Sequence, residues 1–194
     1  MMAQIPIRMI PIDTVLETER CCLRYPNPSD ANRAFSAFIS PFFPKLLPLG
    51  QINSLQETKN WILQSQNRWA EGLSYTWSIE RRSDGLMVGQ VTLAKLPDEE
   101  RWSLAFWIHP ENWGQGFATE AASEVLRFAF TKLNLDTVWA ATGMWNQASV
   151  SVLIKLGMTH IADNPEGYTI KDRSIPTHEY EISRYQWDKE QITE

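Results

Sequence analysis

Residues 103–132 read SLAFWIHPENWGQGFATEAASEVLRFAFTK, and this stretch decides the predicted fold. It opens with an apolar run, residues 104–108, that stops before Pro110 and predicts a short buried strand. A turn with two glycines follows at residues 113–117, and a helix comes after it. Apolar residues recur in that helix at spacings of three and four, which place them on one face. They are Ala118, Ala121, Ala122, Val125, Leu126, Ala129 and Leu133.

A strand, a glycine turn and a helix N-terminus together form a site for an anion. The first N–H groups of a helix lack intrahelical partners, and the positive end of the helix dipole lies there. Gly114 and Gly116 have no Cβ, so the backbone can come close to a phosphate group. The stretch therefore predicts binding of a phosphorylated cofactor.

Two other phosphate-binding folds share this outline. A P-loop is excluded because no Gly-Lys-Ser/Thr sequence follows the turn. A dinucleotide-binding fold would use Gly114 and Gly116, with Thr119 at the third glycine position and Asp136 as the ribose-binding acid. Asp136, however, precedes the next apolar run (137–141) instead of ending it. An NAD-binding oxidoreductase domain is therefore a poorly supported alternative.

Three strings of residues resemble one known family. Residues 113–121, Trp-Gly-Gln-Gly-Phe-Ala-Thr-Glu-Ala, are similar to the pyrophosphate loop of the GNAT superfamily of acyl-CoA-dependent N-acyltransferases, and most of all to its Rim-type ribosomal-protein N-acetyltransferase branch. Trp113 stands where most of the superfamily has Arg or Gln. Residues 18–24 resemble the opening strand of the branch, and residues 146–158 resemble its Asn-x-x-Ser and Lys-Leu-Gly patches.

The resemblance implies a mixed α/β fold, with a mostly antiparallel twisted sheet of about seven strands flanked by about four helices. It also implies acetyl-CoA as co-substrate, no metal, and direct attack by an amine in a ternary complex. The acceptor would be a protein N-terminus or a small-molecule amine, because the same scaffold serves both.

The resemblance further implies a set of cofactor-binding residues. The backbone of Phe106, Trp107 and Ile108 would pair with the pantetheine arm and offer an N–H to the thioester oxygen. Asn146 would contact the same arm. The pyrophosphate loop would comprise Gly114, Gln115, Gly116, Phe117, Ala118 and Thr119.

Asn146 and Ser149 are the candidate catalytic residues. Ser149 would protonate the leaving thiolate, and its alternative role is that of a solvated or capping hydroxyl. Asn146 is also a favourable N-cap for the following helix, and the two roles are compatible. Leu153 stands where many superfamily members have a tyrosine acid, so that acid is absent here or lies elsewhere.

The general base is not assigned. An amine must lose a proton to attack a thioester, but Ser103 occupies the position of the branch's strand glutamate and cannot accept that proton. Glu80, Glu99, Glu100 and His109 are the candidates, and His109 has a suitable ordinary pKa of about 6.5. Water could also carry the proton to a distant carboxylate. Without the glutamate and the tyrosine, a non-catalytic CoA-binding module remains the alternative function.

Composition is that of an ordinary globular protein. The chain of 194 residues is 43% hydrophobic and 21% charged, which suits one domain. We predict an N-terminal lead (1–14), a single N-acetyltransferase domain (15–187) and a frayed polar tail (188–194).

A net charge of −5 disfavours a nucleic-acid partner. The adjacent Cys21 and Cys22 cannot form an ordinary disulfide, and no signal peptide or membrane span is found, so we expect a cytoplasmic monomer or homodimer.

Local signals predict several further features. Ser29 would cap a helix that runs to about residue 40, and the Ser54/Glu57 capping box would open another that runs to about residue 69. Residues 83–85 predict a hairpin turn, and residues 164–167 a turn between the last two strands. The proline-rich loop at residues 41–48 would pack on the core or form an acceptor wall. Trp113 and Trp145 flank the cofactor patches and could close the site.

Overall fold

The computed structural model describes residues 9–96 and 101–191, which form one open sheet with five α-helices packed against its strands. Along the sheet the order is β1-β2-β3-β4-β5-β6-β8-β7. The strands are β1 (Leu16–Glu17), β2 (Cys21–Arg24), β3 (Ser74–Arg81), β4 (Leu86–Lys95), β5 (Trp102–Ile108), β6 (Thr137–Gly143), β7 (Thr159–Ile170) and β8 (Arg173–Ser183).

The helices are α1 (Asp30–Phe38), α2 (Leu55–Ala70), α3 (Phe117–Thr131), α4 (Gln147–Lys155) and α5 (Arg184–Gln191). Within the described residues, none of them is long and apolar enough to cross a lipid bilayer. The predicted class, a mixed α/β fold with a mostly antiparallel sheet, is confirmed. Eight strands and five helices are present in the described part of the chain, against about seven and four expected, because the two-residue β1 and the terminal α5 carry weak local signals.

One strand pair departs from the antiparallel pattern and opens the sheet. β5 and β6 run parallel and are paired at a single position, Ser103 with Trp139. β5 nevertheless stays paired with β4 along its whole length, from Trp102 opposite Lys95 to Ile108 opposite Gly89. The two central strands therefore diverge, and the edge of β5 after Ser103 is not paired with β6.

The capping box of α2 is confirmed. Ser54 Oγ accepts a hydrogen bond from the Glu57 N–H at 3.1 Å, and Glu57 Oε2 accepts from the Asn53 N–H at 2.8 Å. At α1 the predicted N-cap position, Ser29, is confirmed, but its hydroxyl donates to Asn27 Oδ1 and caps no helical N–H. The turn before the helix is held by Asp30, which accepts from the Asn27 N–H at 2.9 Å.

The predicted turn at residues 164–167 is also wrong. β7 continues through this segment to Ile170, and the chain reverses at Lys171 and Asp172, which both have positive φ. The turn-forming residues instead make an irregularity inside the strand, where Asn164 Oδ1 accepts from the Glu166 and Gly167 N–H groups. A local side-chain hydrogen bond of this kind has the same sequence signature in a bulge as in a turn.

Both chain ends pack more closely than their sequences indicate. The Trp69 indole donates to Ile10 O at 2.8 Å, which fixes the end of the lead segment; residues 1–8 lie outside the described part. Residues Asp188 to Gln191, expected to be frayed, belong to α5. This helix is held by Trp187, whose ring lies 5.9 Å from that of Phe130 in α3.

A row of buried polar side chains crosses the sheet from β2 to β5. Asp30 is 3% exposed and receives two hydrogen bonds from the Arg24 guanidinium, at 3.0 and 2.8 Å. Ser78 Oγ donates to Asp30 at 2.7 Å, Gln90 Nε2 donates to Ser78 Oγ at 3.1 Å, and the Trp107 indole donates to Gln90 Oε1 at 3.4 Å. These four strand residues are directly opposite one another in successive strands. The row thus connects Asp30 to the central strand.

The row requires an ionised Asp30. Burial alone would raise the pKa of this carboxyl, but the hydrogen bonds from Arg24, the Asn27 N–H and Ser78 outweigh burial, so its pKa lies below the ordinary value. A carboxyl with a lowered native pKa stabilises the fold above its unfolded pKa of about 3.9, and this contribution is lost as the pH falls through the native pKa.

We therefore predict that Asp30→Asn lowers the free energy of unfolding by about 3 kcal/mol at pH 7, the lower end for breaking a buried ion pair. The lower end applies because Arg24 keeps Glu80 as a second partner at 2.6 Å. Urea unfolding at pH 7 and pH 3 measures the effect, which should be smaller at pH 3 because the contribution of an ionised Asp30 is lost below the unfolded pKa. Asp84→Asn, at an exposed Arg81 pair, is the control and should leave stability nearly unchanged. Equal losses in the two variants would contradict the prediction.

Candidate active site

A cleft of about 620 Å³ opens where β5 and β6 diverge. Its floor is the second half of β5, and its rim consists of the glycine turn, the start of α4 and the proline-rich loop. Ten of the predicted site residues line it. They are Phe106, Trp107, Ile108, Gly114, Gly116, Phe117, Ala118, Thr119, Asn146 and Ser149.

Gln115 is the predicted loop residue that is absent from the lining of the cleft. Its carbonyl accepts a hydrogen bond from Arg20 at 2.9 Å, and its side-chain amide donates to the Glu111 carbonyl at 3.3 Å. In the structure Gln115 therefore holds the turn in place.

The backbone of the glycine turn is left-handed at both glycines, as a turn that requires glycine would be. Gly114 and Gly116 have φ of 72° and 83°, in the left-handed region that other residues enter only at a cost. Gly116 is the N-cap of α3 and has no side chain to occupy the first free N–H groups of the helix. The backbone from Gly114 to Gly116 is exposed, so these donors can reach an anion in the cleft.

An ion pair that sequence reasoning missed holds this turn. Arg20 donates to Glu120 Oε2 from Nε at 2.7 Å, and the same guanidinium binds the Gln115 carbonyl. Glu120 Oε1 also accepts from Thr18 Oγ1 at 2.6 Å. Burial would raise the pKa of Glu120, but these bonds keep it below its ordinary value. Thr18 and Arg20 lie in residues 18–24 and Glu120 lies in residues 113–121, the strings that resemble the family. That shared resemblance was the sequence signal from which the ion pair could have been found.

The second rim of the cleft is the N-terminus of α4. Asn146 is its N-cap, and its Oδ1 accepts from the Ser149 N–H at 3.2 Å. The capping bond uses the oxygen of the amide, which leaves the two N–H donors of Asn146 available. Leu153, where a family tyrosine would stand, is 2% exposed in the core. Two helices, α3 and α4, therefore begin at the same cleft.

The proline-rich loop forms an aromatic wall and packs on the core as well. Phe43 is buried with its ring 6.2 Å from that of Trp107, whereas Phe42 is 73% exposed and lines the cleft. The Tyr168 hydroxyl, from β7, donates to the Leu46 carbonyl at 2.8 Å and so fixes the loop. Trp113 and Trp145 both line the cleft.

His109 has a structural position and does not line the cleft. It is 3% exposed; its Nδ1 accepts from the Glu111 N–H at 3.3 Å, and its Nε2 lies 3.1 Å from Ser36 Oγ. The Ser36 hydroxyl donates to the Arg33 carbonyl, so the network assigns the proton of a neutral imidazole to Nε2. Burial first, and then the charge of Arg33, lower the pKa of His109.

The other candidate bases are also placed away from the reaction or outside the described part. Glu80 accepts from Arg24 Nε at 2.6 Å and does not line the cleft. Glu99 and Glu100 lie outside the described residues. Among the described residues that line the cleft, none is Asp, Glu or His, and Lys155 is the titratable one.

Comparison with known proteins agrees with this geometry. A family model described as acetyltransferase (GNAT) domain matches residues 20–159. The chain belongs to the GNAT acetyltransferase family. The family uses acetyl-CoA as co-substrate without a metal, so this chain is an acetyl-CoA-dependent N-acetyltransferase.

Individual relatives are similar over most of their length. The N-acetyltransferase YoaA of Bacillus subtilis is 29% identical, and the match spans 74% of this chain and 81% of YoaA. The fold is shared with RimL, a ribosomal L7/L12 N-acetyltransferase solved with CoA, at a TM-score of 0.78 and 14% identity over 88% of this chain and 98% of RimL. RimJ of Mycobacterium smegmatis, solved with CoA-disulfide, gives a TM-score of 0.74 and 18% identity over 90% and 89%.

The position of His109 leads to a pH prediction. The pKa of His109 in the native state lies below the unfolded value of about 6.5, so near and below that pH the unfolded chain binds a proton that the native state does not, and the native state loses stability as the pH falls. His109→Gln should have a lower melting temperature than the unaltered protein at pH 7.5, but its melting temperature should decrease less between pH 7.5 and 5.5. An equal decrease in the variant and the unaltered protein would contradict the prediction. The pH–rate profile of acetyl transfer should keep its shape, since a loss of its acidic limb would identify His109 as the base.

Proposed function

We propose that this enzyme transfers the acetyl group of acetyl-CoA to a primary amine attached to an apolar body, such as the N-terminus of a polypeptide. The observation that carries the proposal is the cleft itself, in which an unpaired strand edge and two helix N-termini face an aromatic wall. The strand edge and the two helix N-termini suit the donor, acetyl-CoA, and the aromatic wall suits the acceptor amine.

The donor would lie along the residues predicted from the sequence. The N–H groups from Gly114 to Thr119 would bind the pyrophosphate, and the Asn146 amide would donate to the pantetheine arm. The unpaired edge of β5 from Phe106 to Ile108 would bind the arm as an added strand and donate an N–H to the thioester oxygen. The exposed glycine backbone with positive φ fits this role, because a side chain there would obstruct the phosphates.

In the transfer step the amine nitrogen attacks the thioester carbonyl carbon, so that a C–N bond forms and the C–S bond breaks. The β5 N–H stabilises the oxyanion that develops between these events. Ser149 Oγ–H would give its proton to the leaving thiolate and regain one from water, and the proton lost by the amine would leave through water. A water relay is favoured because the described lining residues offer no carboxylate or imidazole.

The wall of the cleft favours an apolar acceptor over a polyamine. Phe42, Phe43, Leu47 and Trp145 line this side, and no described residue there has a carboxylate to pair with a second ammonium group. Apolar and aromatic surface binds residues that follow an N-terminus at little desolvation cost. A polyamine would have to bury a charge without a partner.

The surroundings of the enzyme complete the proposal. Cys21 and Cys22 are free thiols, and burial raises the pKa of Cys21 to about 11, so it is unreactive. Two free cysteines suit a reducing cytoplasm. A net charge of −5 gives no general attraction to nucleic acid. We propose a cytoplasmic enzyme that acts as a monomer or homodimer.

The donor site is tested by Gly116→Ala. An alanine at a φ of 83° is strained by about 1–2 kcal/mol. Its Cβ would also lie 3.3 Å from Arg20 Nη2, so the turn should shift. We expect the Kd for acetyl-CoA, measured by calorimetry, to rise about tenfold, which corresponds to about 1.4 kcal/mol. Gly85→Ala has the same kind of backbone strain in a distant turn and should lower the melting temperature without changing the Kd. An unchanged Kd in both variants would exclude the turn as the donor site.

The acceptor class is tested by thiol release from acetyl-CoA with peptides, apolar amines and spermidine. We expect a higher kcat/KM for peptides and apolar amines. Phe42→Ala should raise the KM for the acceptor several-fold and leave the KM for acetyl-CoA unchanged. Leu63→Ala, also an exposed apolar residue but outside the cleft, is the control and should change neither. A higher kcat/KM for spermidine would overturn the proposed acceptor class. Acetyl-CoA binding without thiol release in the presence of any amine would favour a non-catalytic CoA-binding module.

A further inference from the structure

Three metal-ligating side chains converge on the β7–β8 hairpin, outside the cleft. Asp163 Oδ1 lies 2.8 Å from His160 Nε2 and 2.6 Å from His178 Nδ1. These three atoms all lie within 4.8 Å of one another. His160 and Asp163 are exposed and His178 is half-buried, so the cluster is open to solvent.

A bulge brings the three residues together. In a regular strand, residues three apart point to opposite faces, which would separate His160 from Asp163. Here the pairing with β8 shifts between His160 and Ala162, so that Ile161 is an extra residue. His160 is then opposite Tyr180, and Asp163 is opposite His178. Because Tyr180 and His178 are two residues apart and share a face, His160 and Asp163 do so as well.

The imidazoles are held in place before any ion binds. The His160 ring packs edge-on against the His178 ring at 5.3 Å and against the Tyr180 ring at 5.4 Å. Tyr180 is 5% exposed and anchors this contact in the core. Side chains that are already ordered lose little entropy when they bind a ligand.

We propose that His160, Asp163 and His178 form a binding site for a divalent transition-metal ion of the Zn²⁺ type. Two imidazole nitrogens and a carboxylate oxygen are ligands that Zn²⁺ accepts, with water in the remaining position, whereas Mg²⁺ and Ca²⁺ prefer oxygen ligands alone. Each neutral imidazole would coordinate through the nitrogen that now faces Asp163, with its proton on the other ring nitrogen. Zn–ligand distances of about 2.0–2.2 Å place tetrahedral ligands about 3.3 Å apart. Each histidine nitrogen would therefore move about half an ångström away from Asp163 Oδ1, and the two nitrogens, which lie within 4.8 Å of each other, would take up the same spacing.

The ion would stabilise the β7–β8 hairpin and take no part in acetyl transfer. None of its three ligands lines the cleft, and β7 is the edge strand of the sheet. A metal at the bulge would hold β7 to β8, and the same β7 carries Tyr168, which fixes the aromatic wall. Zn²⁺ is therefore expected to raise the stability of the folded protein, since an ion that binds the native state alone shifts the unfolding equilibrium.

The experiment uses the full chain without a histidine tag, stripped with a chelator and dialysed. Calorimetry with ZnCl₂ should give one ion per chain, and Zn²⁺ should raise the melting temperature, whereas MgCl₂ should do neither. Asp163→Asn and His178→Gln should each weaken Zn²⁺ binding at least about tenfold, the minimum seen when even a hydrogen-bond partner of a metal ligand is removed. Asp172→Asn, with the same charge change at the turn of this hairpin, should bind Zn²⁺ like the unaltered protein.

Three results would overturn the proposal. The first is no stoichiometric Zn²⁺ binding by the unaltered protein. The second is equal affinity in Asp163→Asn, His178→Gln and the unaltered protein, and the third is an equal response to Mg²⁺. His160→Gln provides a further check, because its exposed side chain can be replaced without loss of core packing, and it should weaken binding to a similar extent.

Discussion

The divergence of β5 from β6 after Ser103 is the constraint on which the cleft depends. A strand that loses its neighbour leaves N–H and C=O groups unpaired, and such an edge persists when water or a ligand satisfies it. β5 keeps its position because β4 pairs with all of its residues and because the Trp107 indole ends the buried polar row that begins at Asp30. The edge presented to a ligand is therefore held rigidly from the opposite side.

The proposed anion site also depends on backbone groups that other residues hold in place. Its donors would be backbone N–H groups, so the side chains nearby would serve to fix the backbone. Arg20 and Glu120 do this from the outside of the turn, and Asn146 does it at the start of α4. Both helices begin at one cleft, so the N-terminus of α3 would face the phosphates of a CoA molecule and that of α4 its pantetheine arm. Recognition of the donor then depends little on which side chains line the turn.

Much of this could be predicted from local sequence. The glycine turn, the helix after it and the Ser54/Glu57 cap each depend on residues a few positions apart, and the structure has them. The Arg20–Glu120 pair joins residues 100 apart, and no local pattern indicates it. The irregularity at Asn164 was missed for a related reason: the residue types indicated a turn, while pairing with β8 along the whole of β7 kept the chain extended. The base could not be assigned because Ser103 stands at the position of the expected glutamate, and a proton that leaves through water would not be marked by any residue.

The proposed binding of acetyl-CoA along β5 and the two helix N-termini can be tested by hydrogen exchange of the backbone amides, measured with and without acetyl-CoA, because the predicted contacts are N–H groups. We expect slower exchange in peptides that cover residues 106–108, 114–119 and 147–149, with little change in β1 to β3. Unchanged exchange in these three segments at saturating acetyl-CoA, or protection confined to other parts of the chain, would contradict it.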